Sequence, residues 1–590
     1  MKISNIPAAQ LIIENCRVHG IKHIIISPGS RSAPLTLSFT AHPDFKCHSV
    51  VDERSAAFYA LGMAQQLKSP VALVCTSGSA VLNYLPAIAE AYYSNIPLLV
   101  LSADRPSYRI DIGDGQTIRQ DNIMGSFTAF SATLQQDVKH ATANILMSNR
   151  QQLVNDSEAD IEELQAKQLE ANQQTIYTAF GELYSSKLPV HLNIPFEEPL
   201  YGLEEYQPKD IIPLESSPTA EVNTALPQLL IDLQTSSRVL ILVGVLDADD
   251  ALRDLFSDIS KKDQVLIFSE SLSNIKRTGV IENIDVVLAP IERQSHAEDI
   301  FGELQPDLLI TVGGLVVSKK VKNFLRKYSP QQHYHLGDSP AYDTYFKGVT
   351  PIGGSLMELL SAVEKKLTLL SQYRSFGQSI LEERLLAHNL FKKKVSYSDF
   401  YVFQQLWRSI PTAYQIHMAN SSAVRYAQLF DSRLLNNMYC NRGTSGIDGS
   451  ISTALGAAIV NQHPTLCISG DLSFFYDSNA LWKNEVPSSF RLIIINNTGG
   501  GIFRILPDTI KDRMFEIFFE TQHKLNAKHF ARMHGWKYRS ASSAWKLKSS
   551  LKHFFRSSNR PQILEIFTPS RKNPDVLSSY FEYLAHHKNS

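Results

Sequence analysis

The chain has 590 residues, 44% hydrophobic and 19% charged, with a formal net charge of −1. Length alone allows about three or four domains. The balanced charge excludes a global basic field aimed at nucleic acid or an acidic membrane, so any anion site is local. The longest apolar stretch, around Val239 to Leu246, is too short to span a bilayer.

The N-terminal segment MKISNIPAAQLIIENCRVHG is interrupted by polar residues and reads as an amphipathic helix without a secretory hydrophobic region. Cys16, Cys47, Cys75, Cys440 and Cys467 are scattered, with no CxxC and no zinc spacing. Buried, reduced thiols and a cytoplasmic location are the expectation.

Three blocks of short apolar strands alternating with helical patterns favour α/β domains with parallel sheets. The first block, 1–200, has strand patterns at Ile24–Ile26, Val71–Val74, Pro97–Leu101 and Val190–Pro195. Within it, Ser148 to Glu170 reads as a solvent-facing helix or a lid-like excursion. A proline-bearing linker, Gln207 to Pro218, leads to the second block, 220–365, with strands at Val239–Val243, Val265–Phe268 and Leu308–Val312. A charged helical segment near 366–395 precedes the third block, 395–590.

In the first block, Ser27-Pro28-Gly29-Ser30-Arg31-Ser32 follows a strand and opens a helix. Small residues there let backbone N–H groups approach an anion, and Arg31 adds a fixed planar charge. A plain serine-capped loop explains the same residues. Asp52 and Glu53 stand at a helix start, where a carboxylate is usually a cap or a dipole partner. Thr76-Ser77-Gly78-Ser79 is a further small-residue turn on the same sheet edge.

The third block carries the most informative pattern. Gly470-Asp471-Leu472-Ser473 ends one apolar strand pattern, Thr465–Ser469, and Asn496-Asn497-Thr498-Gly499 ends the next, Arg491–Ile495. Phe474 to Glu485 is long enough to be a crossover helix, which would put both strand ends on one edge, where open α/β sheets bind ligands. Magnesium prefers hard oxygen ligands, one or two of them carboxylates. The Asp471 carboxylate, the Asn497 side-chain oxygen and the Gly499 carbonyl would supply three, leaving the rest to a diphosphate and water. The bland reading is an ordinary βαβ unit with an Asp and an Asn at its strand ends.

Taken in order, SPGSRSAPLTL, VDERSAAFYALGMA, CTSGSAVLNYLPAIAEAYYSNIPLLVLSADRP and DGQTIRQ, then NRGTSGIDGSISTALGAA, SGDLSFFYDSNAL and NNTGGGIFRILP, resemble the thiamine-diphosphate enzymes. Within that superfamily they are most similar to the family of 2-succinyl-5-enolpyruvyl-6-hydroxy-3-cyclohexene-1-carboxylate synthases, in which a leucine after Gly-Asp is usual. The resemblance is strong in the first and third blocks and weak in the middle one. It implies three doubly wound parallel-sheet domains: pyrimidine-binding, central and diphosphate-binding.

The resemblance further implies a transferase that decarboxylates 2-oxoglutarate and adds the resulting carbanion to isochorismate in menaquinone biosynthesis. Thiamine diphosphate with Mg2+ or Mn2+ would be the cofactors, and a homodimer or homotetramer would place active sites between subunits. No nucleic acid or stable membrane insertion is implied. By the same likeness Glu53 is the catalytic acid on the cofactor's aminopyrimidine ring. Ser77, Gly78, Ser421, Gly446, Ile447, Gly470, Asp471, Leu472, Ser473 and Asn497 hold the cofactor, with Ile447 as the wedge beneath its bend. Ser30, Arg31, Gln116, Lys319, Lys320, Arg425, Arg442, Ile502 and Phe503 face substrate, and Asp471, Asn497 and Gly499 hold the metal.

Several of these residues keep simpler readings. Lys319-Lys320 also reads as a solvated helix start, and Lys320 stands where the family shows Arg. Ile447 reads as core, Ile502 and Phe503 as one face of an amphipathic helix, and Asp448 as a cap for the helix that follows. The competing functions are another thiamine-dependent 2-oxoacid decarboxylase or carboligase, and a non-catalytic nucleotide-binding protein on the same sheets. A dehydrogenase is disfavoured because no GxGxxG with a trailing acid follows a strand.

Overall fold

Runs of Ile, Val and Leu flanked by helical patterns become parallel strands because both faces must be covered and each return needs a crossover. A computed structural model describes residues 1–147, 158–211, 213–214, 224–482, 485–505 and 512–587. It contains three wholly parallel sheets and one short antiparallel pair, Lys2–Ser4 with Leu203–Glu205.

The first sheet orders its six strands as Lys46–Ser49, His23–Ile26, Val71–Cys75, Leu98–Asp104, Val190–Pro195 and Phe130–Thr133. The last orders its six as Met438–Cys440, Gln415–Met418, Thr465–Gly470, Arg491–Asn496, Gln562–Phe567 and Lys537–Ala541. Numbered along the chain, both read 2-1-3-4-6-5. The middle sheet reads 2-1-3-4-5, from Val265–Phe268 through Val239–Val243, Leu308–Val312 and Gln332–Leu336 to Thr350–Ile352. Each therefore reverses its winding between its first and third strands, which opens a crevice at their carboxyl ends. The central strands are buried throughout, as in Val71–Cys75 and Val239–Val243.

The chain divides into two compact units. One comprises Met1–Ser217, Gly443–Gln462 and Asp477–Val486, and holds the first sheet. The other comprises Pro218–Arg442, His463–Tyr476 and Pro487–Ser590, and holds the second and third sheets. All five cysteines are free, and only Cys47 is not fully buried.

Three local expectations are corrected. The N-terminal segment is not one helix: Lys2–Ser4 is a strand paired to Leu203–Glu205, and the helix starts at Pro7, whose fixed φ suits a first turn. The crossover after Gly470 is not a helix over 474–485. Helix Asp471–Tyr476 starts at the strand end and gives way to a 3-10 turn at Ser478–Leu481, because Asp477 turns its carboxylate to the N–H groups of Ile451 and Ser452. The same contact overturns Asp448 as a cap: the helix Ser450–Val460 has Gly449 at its N-cap without a side-chain cap bond. The insertion's first part, 148–157, lies outside the described residues. Beyond it runs helix Glu158–Ser186, whose Gln165 is buried and accepts from the Val138 and Lys139 N–H groups.

Helix Glu53–Leu67 packs against helix Ser450–Val460 through two glycines within the first unit. A Cβ on Gly62 would lie 1.9 Å from the Thr453 carbonyl oxygen, and one on Gly456 would lie 1.9 Å from that of Tyr59. Neither backbone oxygen can swing aside. Substituting Gly62→Val is expected to destabilise the protein by about 1–3 kcal/mol through forced separation of the helices. A lowered denaturation midpoint in urea checks this.

Candidate active site

In the third sheet the two strands that precede Asp471 and Asn497 are paired in register from Leu466↔Arg491 to Gly470↔Ile495. Their carboxyl ends are therefore neighbours, as the sequence predicted. Asp471 is buried; its Oδ1 accepts from Leu472 N at 2.8 Å and its Oδ2 from Gly499 N at 2.9 Å. His523 Nε2 lies 3.2 Å from the same Oδ2. Gly499 has φ of +148°, and a Cβ there would stand 2.4 Å from the Glu520 carbonyl oxygen, so glycine is required.

The Asn497 amide is oriented by a residue that sequence reasoning missed. Its Nδ2 donates to Asp399 Oδ2 at 3.1 Å, and Asp399 Oδ1 accepts from Thr568 Oγ1 at 2.6 Å. Burial pushes the Asp399 carboxyl up to about 6, opposed by the Thr568 and Asn497 bonds. The other end of the amide, Asn497 Oδ1, is buried and has no hydrogen-bond partner among the described residues. Such a group costs free energy unless something else pairs with it. An oxygen-seeking cation fits that requirement, so the donor set suits the metal expected from the sequence. Asp399 reads from sequence as the first acid of a helix after the Ser398 cap, and nothing in that signal points to Asn497.

The switch point of the same sheet carries Ser421, which follows strand Gln415–Met418 with φ of +67° at the start of helix Ser422–Ala427. Ile502 and Phe503 lie in a 3-10 segment, Gly501–Ile505, rather than on a regular amphipathic helix. Both are half-buried, and Phe503 packs edge-on to Phe519.

A cluster of cations gathers beside this edge in the second unit. Arg442 Nη1 donates to Asn420 Oδ1 at 2.6 Å. Burial disfavours the Arg425 charge, offset by Asp285, while Arg442 adds repulsion. Lys319 and Lys320 open the helix Lys319–Lys327 behind the Ser318 cap, and Lys320 is ion-paired with Glu292. The unforeseen residue is Glu270, fully buried, whose two oxygens accept from Val317 N and Ser318 N at 2.7 Å each. Burial raises its carboxyl from the ordinary 4.5 to about 7; those N–H bonds and Arg442 act in the opposite sense. It ties the turn bearing Lys319 to the region of Arg442. An acid just beyond the buried strand Val265–Phe268 was the only available signal.

The remaining candidates lie in the first unit. Asp52 is the cap of helix Glu53–Leu67, accepting from Ser55 N at 3.3 Å. The capping role is thus filled, and Glu53 is half-buried with its carboxyl raised, chiefly by burial and further by Asp52. Gly78 has φ of +89° and donates its N–H to Gln120 Oε1 at 2.8 Å, while Ser77 Oγ is buried without a hydrogen-bond partner among the described residues. The neighbouring loop comes close, since a Cβ on Gly29 would overlap Thr76. Ser30 and Gln116 are exposed. Arg31, by contrast, is buried and held by Phe196 O at 2.8 Å and Glu198 Oε1 at 3.1 Å. Gly446 and Ile447 sit in a turn secured by buried Glu90, which accepts from Gly443 N and Thr444 N at 2.7 Å each. Ile447 is 38% exposed, which removes the core-packing reading.

Two families match segments of the chain. Residues 6–129 match "Thiamine pyrophosphate enzyme, N-terminal TPP binding domain", and residues 420–566 match "Thiamine pyrophosphate enzyme, C-terminal TPP binding domain". Curated relatives are similar over nearly the whole length. A protein from Christiangramia forsetii is 43% identical, with 99% of this chain and all of that protein covered. One from Flavobacterium psychrophilum is 42% identical over 98% of this chain and 99% of its own length. A third, from Porphyromonas gingivalis, is 36% identical, with 98% and 96% covered. All three are named 2-succinyl-5-enolpyruvyl-6-hydroxy-3-cyclohexene-1-carboxylate synthase.

Glu270 makes a pH signature. Its folded-state value lies above its ordinary one, so the stability this group contributes is full below about 4.5 and is lost as pH rises through about 7. The Glu270→Gln variant is expected to flatten that decline while losing a pH-independent increment from one backbone N–H left unpaired. Urea unfolding at a series of pH values from 4 to 8 distinguishes the slope from the offset.

Proposed function

We propose that this chain, which belongs to the 2-succinyl-5-enolpyruvyl-6-hydroxy-3-cyclohexene-1-carboxylate synthase family of thiamine-diphosphate enzymes, decarboxylates 2-oxoglutarate and joins the decarboxylated unit to isochorismate by conjugate addition. The product is 2-succinyl-5-enolpyruvyl-6-hydroxy-3-cyclohexene-1-carboxylate, formed with carbon dioxide in menaquinone biosynthesis. The observation that carries the reading at the site is the buried, unbonded Oδ1 of Asn497 beside Asp471 and Gly499. A protein that only bound a nucleotide would have no use for Glu53.

When bound, thiamine diphosphate supplies the electron sink that loss of carbon dioxide from a 2-oxoacid requires. The residues of the chain do the rest. Asp471, Asn497 Oδ1 and the Gly499 carbonyl would hold Mg2+ or Mn2+, an ion suited to an all-oxygen set. Gly470, Leu472, Ser473 and Ser421 take the diphosphate side, and Ser77, Gly78, Gly446 and Ile447 the ring side. Glu53 would serve the aminopyrimidine ring by holding a proton on its carboxyl, a task favoured by the burial that raises it.

Both substrates are dicarboxylates, for which planar guanidinium donors are well matched. Arg425 and Arg442 are the strongest candidates to receive them, and Lys319, Ser30 and Gln116 are assigned to the same task. Arg31 is engaged by Glu198 and Lys320 by Glu292. These two would exchange a carboxylate of the protein for one of the substrate. Ile502 and Phe503 shield the reacting atoms from water.

The proposed assignment gives 1–200 the pyrimidine-binding role, 220–365 the central role and 395–590 the diphosphate-binding role. A cytoplasmic homodimer or homotetramer with shared sites completes it. No described helix is long and apolar enough to cross a membrane.

Carbon dioxide release from 2-oxoglutarate, but not from pyruvate, with product formed only when isochorismate is added, is the expected result. Release from pyruvate instead would reassign the donor and with it the arginines. Replacing Glu53→Gln should lower kcat by about 10²–10⁴ with circular dichroism unchanged.

Chelation should abolish turnover and added Mg2+ or Mn2+ should restore it. Asp399→Asn releases the Asn497 amide, and a Mg2+ titration of the apoenzyme should show affinity weakened by about 10–100-fold.

A further inference from the structure

We infer that His523 contacts the cofactor's diphosphate, donating its Nε2–H to a phosphate oxygen beside the metal, an inference that rests on the function proposed above. The residue is held in place by three contacts within the second unit. Its backbone N–H donates to Thr498 O at 3.2 Å, which ties it to the loop between Asn497 and Gly499. Its imidazole packs edge-on to Phe475, with ring centroids 5.3 Å apart and planes at 85°. Its Nδ1 accepts from Leu525 N at 3.1 Å. Upstream, Gly500 N donates to Glu520 O at 2.6 Å, and buried Glu520 is ion-paired with Arg504. The strap 520–523 is thus pinned to the metal loop at both ends.

The Leu525 bond decides the tautomer. A ring nitrogen that accepts a hydrogen bond carries no proton, so the proton is on Nε2. That Nε2–H is a buried donor with no hydrogen-bond partner among the described residues. It stands 3.2 Å from Asp471 Oδ2 without the alignment of a hydrogen bond, and that oxygen already accepts from Gly499 N.

Asn497 Oδ1 is an acceptor in the same condition. One cradle therefore holds two buried orphans of opposite kind, and each costs free energy until something pairs with it. A bare cation would satisfy the Asn497 oxygen and leave the His523 donor unpaired. A free phosphate would satisfy the donor but face the Asp471 carboxylate and the Asn497 oxygen, both electron-rich. A metal carrying a phosphate answers both at once, because the metal offsets Asp471 and brings a charged oxygen with it. An N–H bond to such an ionised acceptor is of the stronger kind. The pair of orphans thus selects a metal–phosphate ligand over either ion alone.

The test uses the full-length apoenzyme, titrated calorimetrically with thiamine diphosphate in excess Mg2+. His523→Asn keeps an amide oxygen that can accept from Leu525 N and has no donor at the Nε2 position. It should weaken thiamine diphosphate binding by about 10–100-fold. His523→Gln carries an amide N–H near the Nε2 position and should bring affinity back to within about threefold of wild type. Mn2+ binding to the apoenzyme without cofactor, followed by electron paramagnetic resonance, should be the same in all three proteins. A wild-type chain that bound no thiamine diphosphate would sink the functional reading and this inference with it. Wild-type binding with no loss in His523→Asn would overturn the inference alone. So would a Gln variant as weak as the Asn one, or an equal loss for Mn2+, which would make His523 a support for Asp471.

Discussion

One hydrogen bond sets the chemistry of the third sheet: the Asn497 amide donates to a buried carboxyl, Asp399, and its oxygen is thereby turned to a side where no described residue hydrogen-bonds it. An asparagine left to itself could present either end. Asp399 removes that freedom, and Thr568 in turn fixes Asp399. The adjoining Asp471 is held just as firmly, one oxygen on Leu472 N and the other on Gly499 N. The bonds that fix the cradle are the protein's own, which lowers the ordering cost of binding.

The same economy of placement recurs at a larger scale. Both outer sheets share one winding order, and in each the small-residue loops follow the strands at the reversal: Ser27–Arg31 and Thr76–Gly78 in the first, Ser421 and Asp471 in the last. Parallel strands all end on one edge, so residues far apart in sequence reach a common crevice by topology alone. Buried acids then refine the loops. Glu90 secures the turn before Ile447, Asp477 starts the helix after it, and Glu270 secures the turn before Lys319.

What sequence could reveal follows from this division. Strands such as Val190–Pro195, Val239–Val243 and Leu308–Val312 were legible to the residue, since short apolar runs or apolar alternations bounded by turns have few other uses. The clamp was legible because its residues stand at strand ends. Asp399, Glu270 and Asp477 were not, because each reads locally as a helix-start or loop acid and acquires its role from a partner between 26 and 98 positions away. The separation of Asp52 from Glu53 needed the structure for the same reason: two adjacent acids at a helix start look alike until one is seen to cap. Asp448 was misjudged because a more distant acid had already taken the N–H groups it would have served.

The glycine-notched contact between helices Glu53–Leu67 and Ser450–Val460 has a consequence for how the protein is made. The earlier helix leaves the ribosome almost four hundred residues before the surface that covers it. Until then its buried face, including Phe58 and Tyr59, has no permanent cover, so the amino-terminal unit cannot finish packing during synthesis of its own first stretch. A truncated chain ending before this second helix would leave that groove open to solvent and to other nascent chains, so the unit's completion waits until that later helix has been made.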